Sequence, residues 1–158
     1  MELFNLREYM QTFLPYPDFK KSAEVLDYKR LGKQRVECYQ ILNTLLGNST
    51  GWQNHPAVKM WRGSILILIY YSKEITKEWV KRGYKDNVDE KINNIWKEHT
   101  RHLPNDKLIG ICCGGTPMWL GNKQFHDSHK SNLLRKDYEF YSAYGWDVPD
   151  NLPYYWPV

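Results

Sequence analysis

The run from Asp27 to Leu42 constrains this 158-residue chain more than any other stretch. It reads as one long helix with polar side chains where its core face should be. Placing each residue 100° after the last separates two arcs. Tyr28, Leu31, Cys38, Tyr39, Ile41, Leu42, Leu45 and Leu46 share one arc, and Lys29, Lys33, Gln40, Asn43 and Thr44 share the other. Gln34 and Arg35 fall inside the apolar arc, while Arg30 and Glu37 lie at its border. A charge taken out of water without a partner is strongly destabilising. The pattern therefore means either a core ion pair behind a solvated face or a functional site set into the helix.

The rest of the chain is also helical in pattern. Residues 1–9 read as an N-terminal extension in front of Met10, and residues 10–158 as a single helical domain. Gln11 to Pro17 is extended, because Pro15 and Pro17 each bias the preceding residue away from helix. A first helix, capped by Asp18 or Ser22, ends near Gly47 and Asn48. A second runs from about Pro56 to Arg82. Trp61, Ile65, Leu68, Ser72, Ile75 and Trp79 form one stripe of it, and residues 65–71 are apolar all round, as in a central, buried helix. A shorter helix spans Asp86 to Thr100, and a last one about Lys123 to Tyr144. A long connection from His102 to Gly121 lies between them, and a Pro/Tyr/Trp tail closes the chain. The expected fold is all-α: a compact single domain of about four helices, with long loops and an extended Pro- and aromatic-rich C-terminal tail.

Composition narrows the function classes. A net charge of +4 and a pI near 8.8 lean towards a polyanionic partner. Seven Trp and 12 Tyr exceed what packing needs and leave rings for stacking on a ligand or base. Three cysteines, Cys38 and the adjacent Cys112 and Cys113, argue against a disulfide framework and for a reducing compartment. Cys112 and Cys113, beside an apolar run, read as buried. No signal peptide or membrane-length apolar run is expected, so the chain reads as cytoplasmic or nucleoid-associated, with no membrane partner. No phosphate loop, nucleophile elbow or zinc helix is present.

Two further clusters carry chemistry. On the last helix Phe125, His126, His129, Leu133 and Phe140 share a face, with Asn132 at its edge. Two histidines without a third ligand do not make a metal site, and no metal or cofactor is expected. His126, His129, Asn132 and Arg135 are donor groups suited to phosphates, or else core residues satisfied by backbone carbonyls. Lys130, Arg135 and Lys136 add positive charge, for binding or for solubility. His55, just before a helix start, either caps that helix or lines a pocket, and Arg62 either snorkels or binds.

Together these motifs resemble the pyrimidine-dimer DNA glycosylase family, small all-helical proteins typified by the phage enzyme endonuclease V. The likeness is closest to an uncharacterised branch. It rests on Met10-Gln-Thr-Phe-Leu-Pro-Tyr16, Leu31-Gly-Lys-Gln-Arg-Val-Glu37, Asn54-His-Pro-Ala-Val-Lys-Met-Trp61, Arg82-Gly-Tyr84, Ser128-His-Lys-Ser-Asn-Leu-Leu-Arg-Lys136 and Leu152-Pro-Tyr-Tyr-Trp-Pro157. The resemblance implies excision of a damaged base from DNA, with duplex DNA as partner and an N-terminal α-amine that forms a Schiff base at the sugar C1′. A helix glutamate, which falls on Glu37, would steady the intermediate and move protons. The implied catalytic set is Glu37, Arg35, His126 and His129. The implied DNA-binding set is Arg30, Lys33, Gln34, His55, Arg62, Lys130, Asn132, Arg135 and Lys136. Val36 stands where the repair enzymes have an arginine, with Arg35 one step earlier. Nine residues precede Met10, so the amine of Met1 reaches the site only if the extension folds back, and translation from Met10 or processing would otherwise supply the amine.

Overall fold

The computed structural model describes residues 10–112 and 114–158. The proposed extension at residues 1–9, and Cys113, lie outside the described residues.

The protein is all-helical: eight α-helices and a 3-10 turn stand among the described residues, with no strand. That is twice the number expected, and the reasons are local. The first predicted helix divides into α1 (Phe19–Val25) and α2 (Tyr28–Leu45). Leu26 is extended, and the Asp27 carboxylate accepts from the backbone N–H of Lys29 and Arg30, so it starts a new helix rather than continuing the old one. The second divides into α3 (Pro56–Lys59) and α4 (Ile65–Lys81), around a turn in which Gly63 takes φ +78°. Only a residue without Cβ adopts that angle freely. α5 covers Asp89–Arg101, and the long connection contains an unforeseen helix, α6 (Asn105–Cys112). The last predicted helix stops at Asp137, which leaves helical geometry and caps the next turn, giving α7 (Lys123–Lys136) and α8 (Tyr138–Tyr141).

α2 and α1 both pack against α4. α4 is buried on one side only: Leu68, Tyr71, Ser72, Ile75 and Trp79 face inward, while Tyr70 is exposed and Ile65, Ile67 and Ile69 are half-buried. The expectation of a helix buried all round is corrected accordingly. Tyr28, assigned to the apolar arc, is also exposed, although its ring stacks on Trp79 with centroids 5.5 Å apart. Cys112 is exposed rather than buried. Arg35 and Asp86 form an ion pair, and the Arg35 guanidinium lies 4.6 Å from the centre of the Trp79 ring. The C-terminal tail after the 3-10 turn forms no helix or strand, and Trp146, Val148 and Trp156 pack on the core.

Residues 10–14 are the unusual feature. This segment, neither helix nor strand, is almost wholly buried. Among the described residues no strand lies beside its peptide groups, so side chains satisfy them. The Gln34 amide bridges two: Oε1 accepts from Phe13 N at 2.6 Å, and Nε2 donates to Gln11 O at 3.1 Å. Tyr71 OH donates to Phe13 O at 2.5 Å, and Trp61 Nε1 donates to Thr12 Oγ1 at 3.1 Å.

α2 packs against α4 at Gly32, where an added Cβ would lie 2.9 Å from the Trp79 ring. That ring is fixed by its own N–H, donated to Lys85 O at 2.9 Å, and by Tyr28, Tyr84 and Arg35 around it. Gly→Ala inside a helix ordinarily stabilises by about 1 kcal/mol. Gly32→Ala is expected to do the reverse, by about 1–2 kcal/mol through overpacking. Urea unfolding of the two proteins checks the sign.

Candidate functional site

Glu37 lies on the inner face of α2, one turn beyond Gln34, and is 3% exposed. Its Oε2 accepts from the backbone N–H of Gln11 at 3.3 Å, and its Oε1 stands 3.3 Å from Lys33 Nζ. Lys33 is one helical turn away, with its side chain about half exposed, so its amine sits between solvent and the buried carboxylate. Burial pushes the Glu37 carboxyl up to about 7, against the pull of Lys33, the Gln11 N–H and the charge of Lys136. A carboxyl poised there both accepts and returns protons near neutral pH.

His126 and His129 engage the same buried segment three residues further on. Leu14 N donates to His129 Nδ1 at 3.0 Å, and His126 Nδ1 lies 2.8 Å from Leu14 O. Gly121 N donates to His126 Nε2 at 2.9 Å, so His126 carries its proton on Nδ1 and gives it to Leu14. The two rings thus clamp the N–H and C=O of one residue. Burial holds the His129 imidazole down, to about 3, with His126 adding to the effect and the Thr12 backbone opposing it. His126 is lowered as well, chiefly by burial. Both are neutral at physiological pH.

The other residues singled out in the sequence are spread more widely. Gln34 is fully buried in its bridge to Gln11 and Phe13. Arg35 turns to Asp86 and Trp79 rather than to Glu37. Arg30 pairs with Asp27 at 3.1 Å, and Asp27 also receives the Tyr141 hydroxyl. His55 caps α3, its Nδ1 accepting from Ala57 N at 3.0 Å, with Trp52 and Trp156 edge-on to the ring. Beside it a cavity of about 400 Å³ is lined by Trp52, Gln53, Asn54 and His55. Arg62 donates to Gln53 O at 2.7 Å. Lys130 lies over the Tyr16 ring. Asn132 and Arg135 bind each other and the tail carbonyl of Leu152. Lys136 is exposed, and its charge favours the ionised form of Glu37. The residues gathered at Glu37 are therefore Lys33, Lys136 and Gln11. Sequence reasoning missed Gln11, because it acts through its backbone N–H and no side-chain pattern marks that.

Among the described residues, no group of three or more His, Cys, Asp or Glu is placed to hold a metal ion. No helix there is long and apolar enough to cross a membrane. Fold and site together define an all-helical protein whose buried glutamate, its carboxyl raised by burial, faces an amine and a buried backbone segment. The family model for pyrimidine dimer DNA glycosylases matches residues 10–92, which include this segment, Lys33 and Glu37, and the chain belongs to that family. The family is one of DNA glycosylases, and membership implies DNA as the substrate. No curated protein and no solved structure matches the chain.

The Glu37 carboxyl titrates higher in the folded protein, at about 7, than its ordinary value of 4.5. Between those values the native state keeps a proton that the unfolded chain has lost, so this group stabilises less as pH rises through that window. Glu37→Gln is expected to remove that decline, on the order of 2–3 kcal/mol across the window, and to leave the mutant the more stable protein at pH 8. Denaturant unfolding of both proteins from pH 4.5 to 8 measures the difference. Parallel curves would show that Glu37 is not desolvated.

Proposed function

We propose that this protein excises a damaged base from duplex DNA and then cleaves the strand, working through Glu37 and an amine that forms a Schiff base with the deoxyribose. The observation that carries the reading is the geometry of Glu37. One oxygen receives the N–H of Gln11 at 3.3 Å and the other faces an amine at 3.3 Å, in a site that raises the carboxyl to about 7. A carboxyl so placed can take a proton from an attacking amine, return it to the leaving base and steady the cationic sugar between.

The family pattern uses the α-amine at the start of the domain. In a chain beginning at Gln11 the nitrogen at Glu37 Oε2 is that amine, and in one beginning at Met10 it lies one residue away. Residues 1–9 are, on this reading, an extension separate from the helical domain. The exposed cations Lys33, Arg62, Arg135 and Lys136, with Arg30 and Lys130 behind them, supply phosphate attraction. His126, His129, Gln34 and Asn132 act by fixing segment 10–14 and the tail, and Arg35 by joining α2 to Asp86. His55 and Trp52 border a cavity open to a base pulled from the stack.

A second reading is a DNA- or nucleotide-binding protein on the same scaffold without the chemistry. It is favoured by one observation, that in the 158-residue chain Gln11 N belongs to a peptide bond rather than an amine.

Glu37→Gln keeps the shape of the side chain and is expected to lower cleavage of ultraviolet-irradiated duplex by about a hundredfold or more. Gel shifts on the same duplex should be unchanged. Cleavage by the mutant at the wild-type rate would remove Glu37 from the mechanism, and no cleavage by either protein would favour the second reading.

A further inference from the structure

Tyr16 follows the buried segment at the end away from Glu37, and it is fixed by both its backbone and its ring. Ser22 Oγ accepts from Tyr16 N at 3.0 Å and donates to Tyr16 O at 2.9 Å. Trp146 Nε1 donates to the Tyr16 hydroxyl at 2.6 Å. Two ammonium groups lie over this one ring. Lys21 Nζ, from α1, is 4.1 Å from its centre, and Lys130 Nζ, from α7, is 4.7 Å away. Lys130 follows His126 by one helical turn, so α7 turns a lysine to Tyr16 as it turns an imidazole to Leu14.

Other lysines stand in ion pairs: Lys20 with Glu24, Lys73 with Asp89, Lys77 with Glu74 and Lys123 with Asp127. Lys21 and Lys130 have no such partner among the described residues. The acids near them in sequence are committed elsewhere, Asp18 to the backbone N–H of Lys21, Glu24 to Lys20 and Asp127 to Lys123. Two like charges on one ring repel each other, and the ring's negative face offsets only part of that. A bound anion removes the rest. A lysine ordinarily loses rotamer freedom when it takes a phosphate, whereas the fixed ring has already ordered these two.

We propose that Lys21 and Lys130, held on Tyr16, clamp the phosphodiester backbone of one strand of the duplex. This rests on the DNA-binding reading above and adds where the backbone is held. The chain from Gln11 to Tyr16 spans at most about 18 Å, the length of roughly five nucleotides of a duplex strand. The clamped phosphates therefore lie within about five nucleotides of the damaged base.

The test follows binding of the full-length protein to a duplex with a single abasic site, by fluorescence anisotropy across a salt series. Lys21→Gln and Lys130→Gln are each expected to reduce the slope of log affinity against log salt by about 1, and the double variant by about 2. The wild type's advantage over the double variant then shrinks about tenfold between about 50 and 200 mM salt. Lys20→Gln, which removes the same charge one residue away, is expected to keep the wild-type slope. A second arm replaces the phosphates one at a time by neutral methylphosphonates. A replacement within about five nucleotides of the abasic site is expected to weaken the wild type and to leave the double variant unaffected. An unchanged slope in the double variant, an equal fall in Lys20→Gln, or identical methylphosphonate effects on both proteins overturns the clamp and leaves the DNA-binding reading standing. No binding by the wild-type protein overturns both.

Discussion

The backbone from Gln11 to Leu14 passes through the interior with no strand beside it among the described residues, and an unsatisfied peptide group there would cost about 1–3 kcal/mol. The protein meets that constraint with side chains from three helices. Gln34 and Glu37 reach it from α2, Tyr71 from α4, and the paired imidazoles of His126 and His129 from α7, while Trp61, in the turn before α4, bonds the Thr12 hydroxyl. Each bond joins an element to the same short segment, so the helices are indexed to one another through it. Polar residues on core faces, costly in isolation, become the means of fixing the fold.

The site follows from that arrangement. Glu37 belongs to the row of polar side chains that satisfy the buried segment, and it is the one member that ionises within reach of solvent cations. Gln34, one turn earlier, has both its amide groups committed to backbone. His126 and His129 are committed likewise and stay neutral. Glu37 accepts a single backbone N–H through Oε2 and turns Oε1 to Lys33, leaving that oxygen the capacity for proton exchange. Gln34 and Glu37, three residues apart on one helix face, thus differ in what their side chains leave uncommitted.

Much of this was legible in the chain. The helical periodicity of α2, the caps at Asp18 and at His55, and the odd polar residues within the apolar arc were all readable. The helix count was not. A capping aspartate at 27, a left-handed glycine at 63 and a second aspartate at 137 each interrupt a continuous apolar pattern, and periodicity outweighs one such residue in a window of a dozen or more. Arg35 shows the limit at the level of a site residue. Its place in the apolar arc marks it as unusual, but α2 offers it both the Glu37 side and the Asp86 side, and only the packing of the segment after α4 selects the latter.

By itself the sequence determined the all-helical class, the inward position of Gln34 and the place of Glu37 at the border of the apolar arc, because these depend on contacts within four residues and on a fixed 3.6-residue turn. Only the tertiary structure decided what those side chains meet. The bonds that define their roles span 21, 26 and 115 residues of chain, and they end on peptide groups, which every residue carries alike. A helical period states which way a side chain points, whereas the charge state of Glu37 and the neutrality of His129 come from the water that folding removes around them.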